Sequence, residues 1–271
     1  MRRPALFVAA LLLVHLGDAR GVAQRAGARA RAASLWDERH EPSSLDPDGV
    51  EEECGPPRRA SRPRRDGAAP LPLGRAIGTL EPSACEALLD ARDIAFERVP
   101  AEEARGVEQP IRLRGSVGPV VVTSHAEHGS PVHAILDCRL AIALLAWSDA
   151  LASAGVARVE HVSMYRPGAR VGGTSRASGH SHGLAIDVLG LRLRDGTFVE
   201  VEGDWLDRAR GVDPCIEHAG DDEATALMRG VVCTAVQRDL FQVVLTPHYD
   251  DAHGNHVHLE VVPEVGWSVL R

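Results

Sequence analysis

The sequence predicts an α+β domain over residues 76–271, in which helices pack on an antiparallel sheet. Residues 137–154 have the apolar period of an amphipathic helix, whereas several shorter runs rich in Val, Ile and Leu are typical of strands. Strands and helices are also segregated along the chain and do not alternate as strand–helix–strand units. This order favours an antiparallel sheet over a parallel one.

The elements follow from local patterns and end signals. Helices are predicted at residues 81–91, 137–154 and 222–240. Asp137 can cap the helix at residues 137–154 and Gly155 can end it. Strands are predicted at residues 111–114, 120–123, 157–165, 184–193, 197–201, 242–245 and 257–262. The first two strands flank Gly115 and Gly118-Pro119, which predicts that they form a hairpin.

The first 75 residues are predicted to lie outside this domain. A basic start, an apolar run over residues 4–16 and small residues after it are typical of a secretory signal peptide, assigned to residues 1–23. Residues 24–75 mix Arg, Pro and acidic side chains without aliphatic periodicity, which predicts a disordered linker. The alternative for the first segment is a buried N-terminal helix. We expect an exported protein, periplasmic or extracellular, without a stable membrane span.

Composition excludes some classes of function. The 271 residues include 38 acidic and 30 basic side chains, a formal net charge of -8. A diffuse acidic excess argues against a nucleic-acid binder. Every basic residue is Arg, so no lysine can form a Schiff base or a phosphate loop. The 13 histidines are many for this length, and imidazole is the commonest metal ligand.

Five cysteines are present, and none form a Cys-x-x-Cys pair. Four lie in the predicted domain, which leaves three possible connectivities. We favour Cys85 with Cys138 and Cys215 with Cys233, because the members of each pair lie in neighbouring segments. Cys54 lies in the linker.

Histidines cluster at two places. His180 and Asp187 frame the entry into one predicted strand, and His256 and His258 begin the last one. Side chains at i and i+2 of a strand share a face, so His256 and His258 should point the same way. Asp187 should project into a space left by small residues, over which His180 can arch from the loop. The small residues expected on the Asp187 face are Gly183 and Ala185.

Two imidazoles and one carboxylate, with a fourth position left to water, are typical of a catalytic zinc site, because structural sites are closed by four protein ligands. Such a zinc ion acidifies water and polarises the carbonyl that is attacked. The alternative is that these histidines are core or surface residues with ordinary hydrogen bonds.

The motif as a whole resembles the two metal motifs of the zinc peptidase superfamily that includes lysostaphin-type enzymes, D-Ala-D-Ala metallopeptidases and hedgehog signalling domains. It reads Ser178-x-His180-x-x-Gly183-x-Ala185-x-Asp187, then His256-x-His258. Residues 85–263 more closely resemble the bacterial extensin-like C-terminal domain family. That family typically ends in His-Phe-His-Leu-Asp, which here is His256-Val257-His258-Leu259-Glu260.

The resemblance implies a fold like that of hedgehog domains and D-Ala-D-Ala peptidases, with Zn²⁺ bound by His180, Asp187 and His258. It implies that His256 lies beside the metal as a base or transition-state stabiliser. It also implies that Arg166, which matches the Arg of a Tyr-Arg pair in those peptidases, contacts the substrate or the oxyanion.

The implied function is an exported zinc hydrolase that acts on amide bonds of peptidoglycan or another peptide substrate. Many D-Ala-D-Ala metallopeptidases have a Glu three residues before the last ligand, where this chain has Asn255. That departure leaves an alternative, a catalytically inactive, zinc-bearing module that binds the cell wall or another partner.

Further candidates are weaker. His182 could contact and orient a metal ligand without binding the metal itself. Other side chains could line a cleft; they are Asp204, Trp205, His248 and His253. A second metal group is conceivable at His125, Glu127, His128 and His133.

Overall fold

The computed structural model describes residue 71 and residues 74–125, 130–206, 209–216 and 219–271. The chain divides into two units, Met1–Ala60 and Ser61–Arg271, and every described residue lies in the second. The predicted signal peptide, Cys54 and nearly all of the predicted linker lie outside the described residues.

Strands form two sheets. In chain order they are β1 (Phe96–Arg98), β2 (Pro110–Leu113), β3 (Ser116–Val117), β4 (Val120–Ser124), β5 (Ile135–Asp137), β6 (Val156–His161), β7 (Ala185–Leu193), β8 (Phe198–Glu200), β9 (Val243–Leu245), β10 (Val257–Glu260) and β11 (Val269–Leu270). The smaller sheet has the order β1-β2-β5, and the larger has the order β11-β9-β10-β7-β6-β4-β3 with β8 also paired to β7. Strand β7 therefore lies in the middle of the larger sheet, between β10 and β6.

The helices flank this sheet. They are α1 (Pro82–Asp90), α2 (Cys138–Ser153), α3 (Val201–Asp204) and α4 (Glu223–Gln237), of which α3 is a single distorted turn. As predicted, Asp137 caps α2, since its carboxylate accepts the Arg139 N–H at 3.0 Å. Asp222 likewise accepts the Thr225 N–H at 2.9 Å at the start of α4. Each cap satisfies a backbone donor that the helix itself leaves free.

The core lies around α2, which contacts α1, α4 and several strands. Trp147 on α2 is fully buried, meets Phe241 edge-on at 6.0 Å and donates its indole N–H to the Val231 carbonyl at 2.8 Å. The ring thus buries a large apolar area without an unpaired donor. Strands β3, β4 and β6 of the larger sheet pack against α2.

The α+β class is confirmed, but the larger sheet is mixed. Strand β4 pairs in parallel with β6, and β11 pairs in parallel with β9; the other pairs are antiparallel. The chain passes from β4 to β6 through α2, a crossover that parallel neighbours require. The predicted elements at residues 120–123, 137–154 and 157–165 already form such a strand–helix–strand unit, so the expectation of a purely antiparallel sheet is wrong.

The predicted hairpin is wrong. Residues 111–113 fall on β2, in the smaller sheet, whereas residues 120–123 fall on β4, in the larger one. The tight turn at Gly118-Pro119 instead joins β4 to the two-residue strand β3. Because only Ser116 and Val117 lie between Gly115 and Gly118, the hairpin that forms is much shorter than the predicted one.

Two disulfides link the described residues, Cys85–Cys138 and Cys215–Cys233, with Cα atoms 6.1 and 5.5 Å apart. The favoured connectivity is confirmed. The first bond ties α1 to the start of α2, and the second ties the loop before α4 to that helix. Disulfides persist in oxidising compartments, so the chain is suited to one. Within the described part of the chain, no helix has the length and apolar character needed to cross a membrane.

Candidate metal centre

Two neighbouring strands place a carboxylate and an imidazole side by side. Asp187 on β7 is the direct partner of His258 on β10. Directly opposed residues of antiparallel strands have their side chains on one face and close together, so the contact follows from the register. His258 Nδ1 lies 3.0 Å from Asp187 Oδ1, and both side chains are buried.

A 3₁₀ turn, Gly179–His182, brings His180 over this pair. The Ser178 hydroxyl accepts the His180 N–H at 3.4 Å, and Gly183 ends the turn with a φ of +63°. A Cβ at Gly183 would lie 2.8 Å from the Asp137 amide nitrogen, so this position needs glycine for its backbone and for its packing. The expectation that Gly183 shares the Asp187 face is wrong, because the chain is still turning there and β7 begins at Ala185.

Three atoms meet at the centre of this arrangement. His180 Nε2 lies 2.9 Å from Asp187 Oδ1 and 3.1 Å from His258 Nδ1. With the 3.0 Å between His258 Nδ1 and Asp187 Oδ1, they form a nearly equilateral triangle. The structure thus brings together His180, Asp187 and His258, which could hold a metal ion. They are the one such group of three or more found among the described His, Cys, Asp and Glu residues.

The outward atoms of two of these side chains are held by neighbours. His180 Nδ1 lies 3.0 Å from the Met164 carbonyl and can only donate to it. Asp187 Oδ2 accepts from the Ser163 hydroxyl at 3.4 Å and lies 3.4 Å from the Arg166 guanidinium. His180 therefore presents an unprotonated Nε2 to the centre, and Asp187 presents Oδ1.

Three acceptors so close together need a positive charge between them. Without a metal that charge is a proton: burial disfavours a charged His258, but hydrogen bonds with Asp187 and Glu260 outweigh it and raise the pKa of His258 to about 9. Burial would raise the pKa of Asp187, yet the two imidazoles hold it well below its ordinary value. Burial lowers the pKa of His180, despite Asp187. The cluster favours one cation.

His256 flanks the cluster. Its Nε2 lies 3.5 Å from Asp187 Oδ1, and its Nδ1 lies 2.8 Å from Asn255 Oδ1. Burial lowers the pKa of His256 to about 4, although the charge of Asp187 acts in the opposite direction. The ring is therefore neutral at pH 7. When Nδ1–H donates to Asn255, Nε2 carries a lone pair on the side of the cluster.

Arg166 also borders the cluster, from the segment that follows β6. Its guanidinium is 3.4 Å from Asp187 Oδ2, and its side chain is 47% exposed. The Arg166 guanidinium is thus anchored by the buried Asp187 carboxylate and remains accessible to a molecule that enters from solvent.

The weaker candidates are more distant or have other partners. His182 Nδ1 lies 2.8 Å from the Gly106 carbonyl, not beside a residue of the cluster. Asp204 accepts the backbone N–H of Glu200 at 2.9 Å and so fixes a turn. The indole N–H of Trp205 donates to Nε2 of the buried His248 at 3.0 Å, which gives these two side chains a structural contact.

His253 comes nearer to the site than its position in a polar loop indicated. Its ring centre is 5.1 Å from that of His256 and 6.2 Å from that of His258. Its Nδ1 is 2.6 Å from Asp250 Oδ1, which orients the ring. His253 therefore packs against the two histidines of the last motif.

The proposed second metal group is only partly described. His128 and Glu127 lie outside the described residues. His125 Nδ1 lies 2.8 Å from Glu160 Oε2, and its ring stacks on Phe198 at 5.9 Å. His125, the residue after β4, is thus held by its contact with Glu160 on β6 and by stacking on Phe198 of β8.

Two residues were not selected from the sequence for a role. His161, at the end of β6, is 1% exposed, and neither ring nitrogen has a hydrogen-bond partner among the described residues. A lone histidine in a strand has no spacing signal that would identify it. Glu260 lies 3.1 Å from His258 Nε2, and its place in the His-x-His-x-Glu alternation was the available clue.

The fold and the cluster define an α+β domain with a buried His–Asp–His group that could hold a metal ion. The model of the family described as Extensin-like protein C-terminus matches residues 83–271, and the chain belongs to that family. The predicted family is therefore confirmed, and the relation to zinc peptidases stays a prediction. No curated protein and no solved structure matches the chain.

Proposed function

We propose that this chain is an exported, zinc-dependent hydrolase that cuts amide bonds in peptides of the cell wall. The observation that carries the proposal is the triangle of His180 Nε2, Asp187 Oδ1 and His258 Nδ1, flanked by the neutral imidazole of His256. Metal-dependent hydrolysis needs a bound cation to activate water and an adjacent group to accept the proton of that water.

The donor set supports zinc. Nitrogen and oxygen ligands of tetrahedral zinc lie about 2.0–2.2 Å from the ion and therefore about 3.3 Å from one another. The three observed separations of 2.9, 3.1 and 3.0 Å are close to that spacing. Two imidazoles and one carboxylate leave a fourth position open, as catalytic zinc sites do.

The residues around the cluster have distinct tasks in such a reaction. Zinc, when bound, acidifies water and polarises a carbonyl. His256 accepts the proton of the attacking water at Nε2, because its ring is neutral and Asn255 fixes the proton on Nδ1. Arg166 uses the exposed side of its guanidinium to hold the oxyanion or a substrate carboxylate.

Peptidoglycan peptides are the substrate class that the resemblance to zinc peptidases implies. Export supports that choice, since such a substrate lies outside the cytoplasm. The support for export is the signal-peptide pattern at residues 1–23 and the two disulfides.

A second candidate is a zinc-bearing module that binds the wall without cutting it. Asn255 favours it, because that position has the base Glu in many D-Ala-D-Ala metallopeptidases. This module would keep His180, Asp187 and His258 but would not need His256 as a base.

Digestion of purified peptidoglycan separates the two candidates. Wild type, His256→Ala and His182→Ala are incubated with wall preparations, and newly released amines and peptides are identified by mass spectrometry. The hydrolase releases products in wild type and in His182→Ala, and His256→Ala lowers the rate about 100-fold or more. His182 is a matched control, since it lies on the same turn as His180 but bonds to Gly106. Wall binding by a wild type that releases nothing would favour the binding module.

A further inference from the structure

Glu260 lies two residues beyond His258 on β10, so both side chains are on the face of the sheet that carries the candidate metal centre. Its Oε2 is 3.1 Å from His258 Nε2, the ring nitrogen opposite the Nδ1 that faces Asp187. The Glu260 side chain is 21% exposed and that of His258 is 8% exposed. The contact is thus shielded from bulk water. In such a shielded place a carboxylate acts more strongly on its partner than it would in water.

We propose that Glu260 is a positioning residue: it accepts the Nε2–H of His258 and so commits Nδ1 to the metal ion. The inference rests on the metal site of the proposed function. In a metal-binding histidine, the hydrogen bond made by one ring nitrogen determines which nitrogen is left to ligate. In His180 the Nδ1–H donates to the Met164 carbonyl, which leaves Nε2 to bind the metal ion. The two histidines thus bind through different nitrogens, and Glu260 adds a negative charge that a carbonyl lacks.

Gly179 is the second part of this arrangement. A Cβ built on Gly179 would lie 2.7 Å from Cγ and 2.8 Å from Oε1 of Glu260, and its nearest neighbours all belong to that side chain. A methyl group there would therefore displace the Glu260 carboxylate and leave its charge in the protein. Gly179 leaves the space that the positioning carboxylate occupies.

Zinc affinity, measured by competition with a chromogenic chelator, tests the role of Glu260. Removal of such an outer partner weakens metal binding about 10–100-fold, which is the loss expected for Glu260→Ala. Glu260→Gln, which keeps an acceptor but not the charge, should lose less. Glu97→Ala is the matched control, because Glu97 is a strand glutamate whose carboxylate pairs with Arg112 in the smaller sheet. Its zinc affinity should equal that of wild type.

A double-mutant cycle separates positioning from a general loss of stability. Gly179→Ala should weaken zinc binding about tenfold in the wild-type background and have almost no effect in Glu260→Ala, because the atoms it would displace are then gone. Histidine ¹⁵N NMR of the zinc-loaded wild type should report a protonated Nε2 and a metal-bound Nδ1 for His258. A merely structural role would give additive losses and lower melting temperatures without that interaction.

The outcomes distinguish this inference from the hydrolase proposal. Wild-type zinc affinity in both Glu260→Ala and Gly179→Ala, or a His258 that binds through Nε2, would overturn the role of Glu260. Zinc binding that depends on Glu260 in a protein that digests no wall preparation would leave this role intact and count against the hydrolase. A wild type that binds no zinc would overturn both.

Discussion

His258 and His161 are both buried on the larger sheet, 6% and 1% exposed, yet their pKa values are shifted in opposite directions. His258 contacts Asp187 and Glu260, which overcome burial and raise its pKa to about 9. His161 has no hydrogen-bond partner for either ring nitrogen among the described residues, and burial lowers its pKa to about 4, against the attraction of Asp187.

The difference teaches that burial does not identify a metal ligand. Burial penalises a positive imidazolium at both positions, and only the adjacent carboxylates of His258 repay that cost. The carboxylates that stabilise a proton on His258 also favour a metal cation there, whereas His161 has no carboxylate within hydrogen-bond distance among the described residues. The partner of the second ring nitrogen is therefore more informative than the depth of the histidine.

The largest expected effect comes from removing the Asp187 charge beside His258, which makes the surroundings of His258 more like those of His161. Asp187→Asn removes the charge that both histidines of the cluster face, and it should weaken zinc binding by on the order of 1,000-fold, more than the loss of an outer partner. Asp149→Asn, an exposed aspartate on α2, is the control and should bind as wild type does. Zinc titration by calorimetry measures both. An Asp187→Asn protein within tenfold of wild type would contradict the account.

The second prediction concerns His161. Its pKa of about 4, against an ordinary 6.5, keeps the native ring neutral while the unfolded chain takes up a proton. Its contribution to stability is complete above pH 6.5 and is lost as the pH falls towards 4, by about 3 kcal/mol in total.

His161→Leu tests this directly, because leucine fills a similar volume and does not titrate. The free energy of unfolding is measured by urea denaturation between pH 7 and pH 4. Its total loss over this range should be about 3 kcal/mol smaller in the variant than in wild type. Equal slopes for the two proteins would show that His161 is charged or solvated in the native state.

The third prediction uses the proton that His258 holds. Zinc must displace it, so the apparent zinc affinity should rise about tenfold per pH unit from about pH 7 and level off near pH 9. Asp187 is already ionised and His180 is already neutral, so about one proton should be released per zinc ion. Calorimetry in buffers of different ionisation enthalpy counts it. Affinity that is flat between pH 7 and 9 would contradict the raised pKa.

The smallest effect is expected at Arg166. Its guanidinium is half exposed and only borders Asp187, so Arg166→Gln should change zinc affinity by less than about fivefold. The same substitution should lower wall digestion about 100-fold, if Arg166 holds the oxyanion. A large loss of zinc in Arg166→Gln would assign it to the metal site instead.

Local parts of the fold could be predicted because their causes are local. The apolar period of α2 and its cap at Asp137 follow from patterns within one short stretch. The two disulfides follow from pairing cysteines of neighbouring segments, although their partners are 53 and 18 residues apart. The parallel pairing of β4 with β6 could not be predicted in the same way, since it depends on how α2 carries the chain across the sheet. Alternation identifies a strand but not its partner.

The same division applies to the site. Alternation at the start of the last predicted strand indicates that His256 and His258 share a face, and both do lie beside Asp187. That Asp187 stands directly opposite His258 is a matter of register between two distant segments. The space that Gly179 leaves for Glu260 is a contact between a turn and a strand, which no spacing in the sequence expresses.

The most direct test of the central claim is the metal content of the purified chain. After mild dialysis, wild type should retain about one zinc ion per chain by atomic emission, and His180→Ala should retain almost none, since it lacks one of three ligands. Less than about half an equivalent in wild type, unchanged in His180→Ala, would contradict the assignment of His180, Asp187 and His258 as a zinc site.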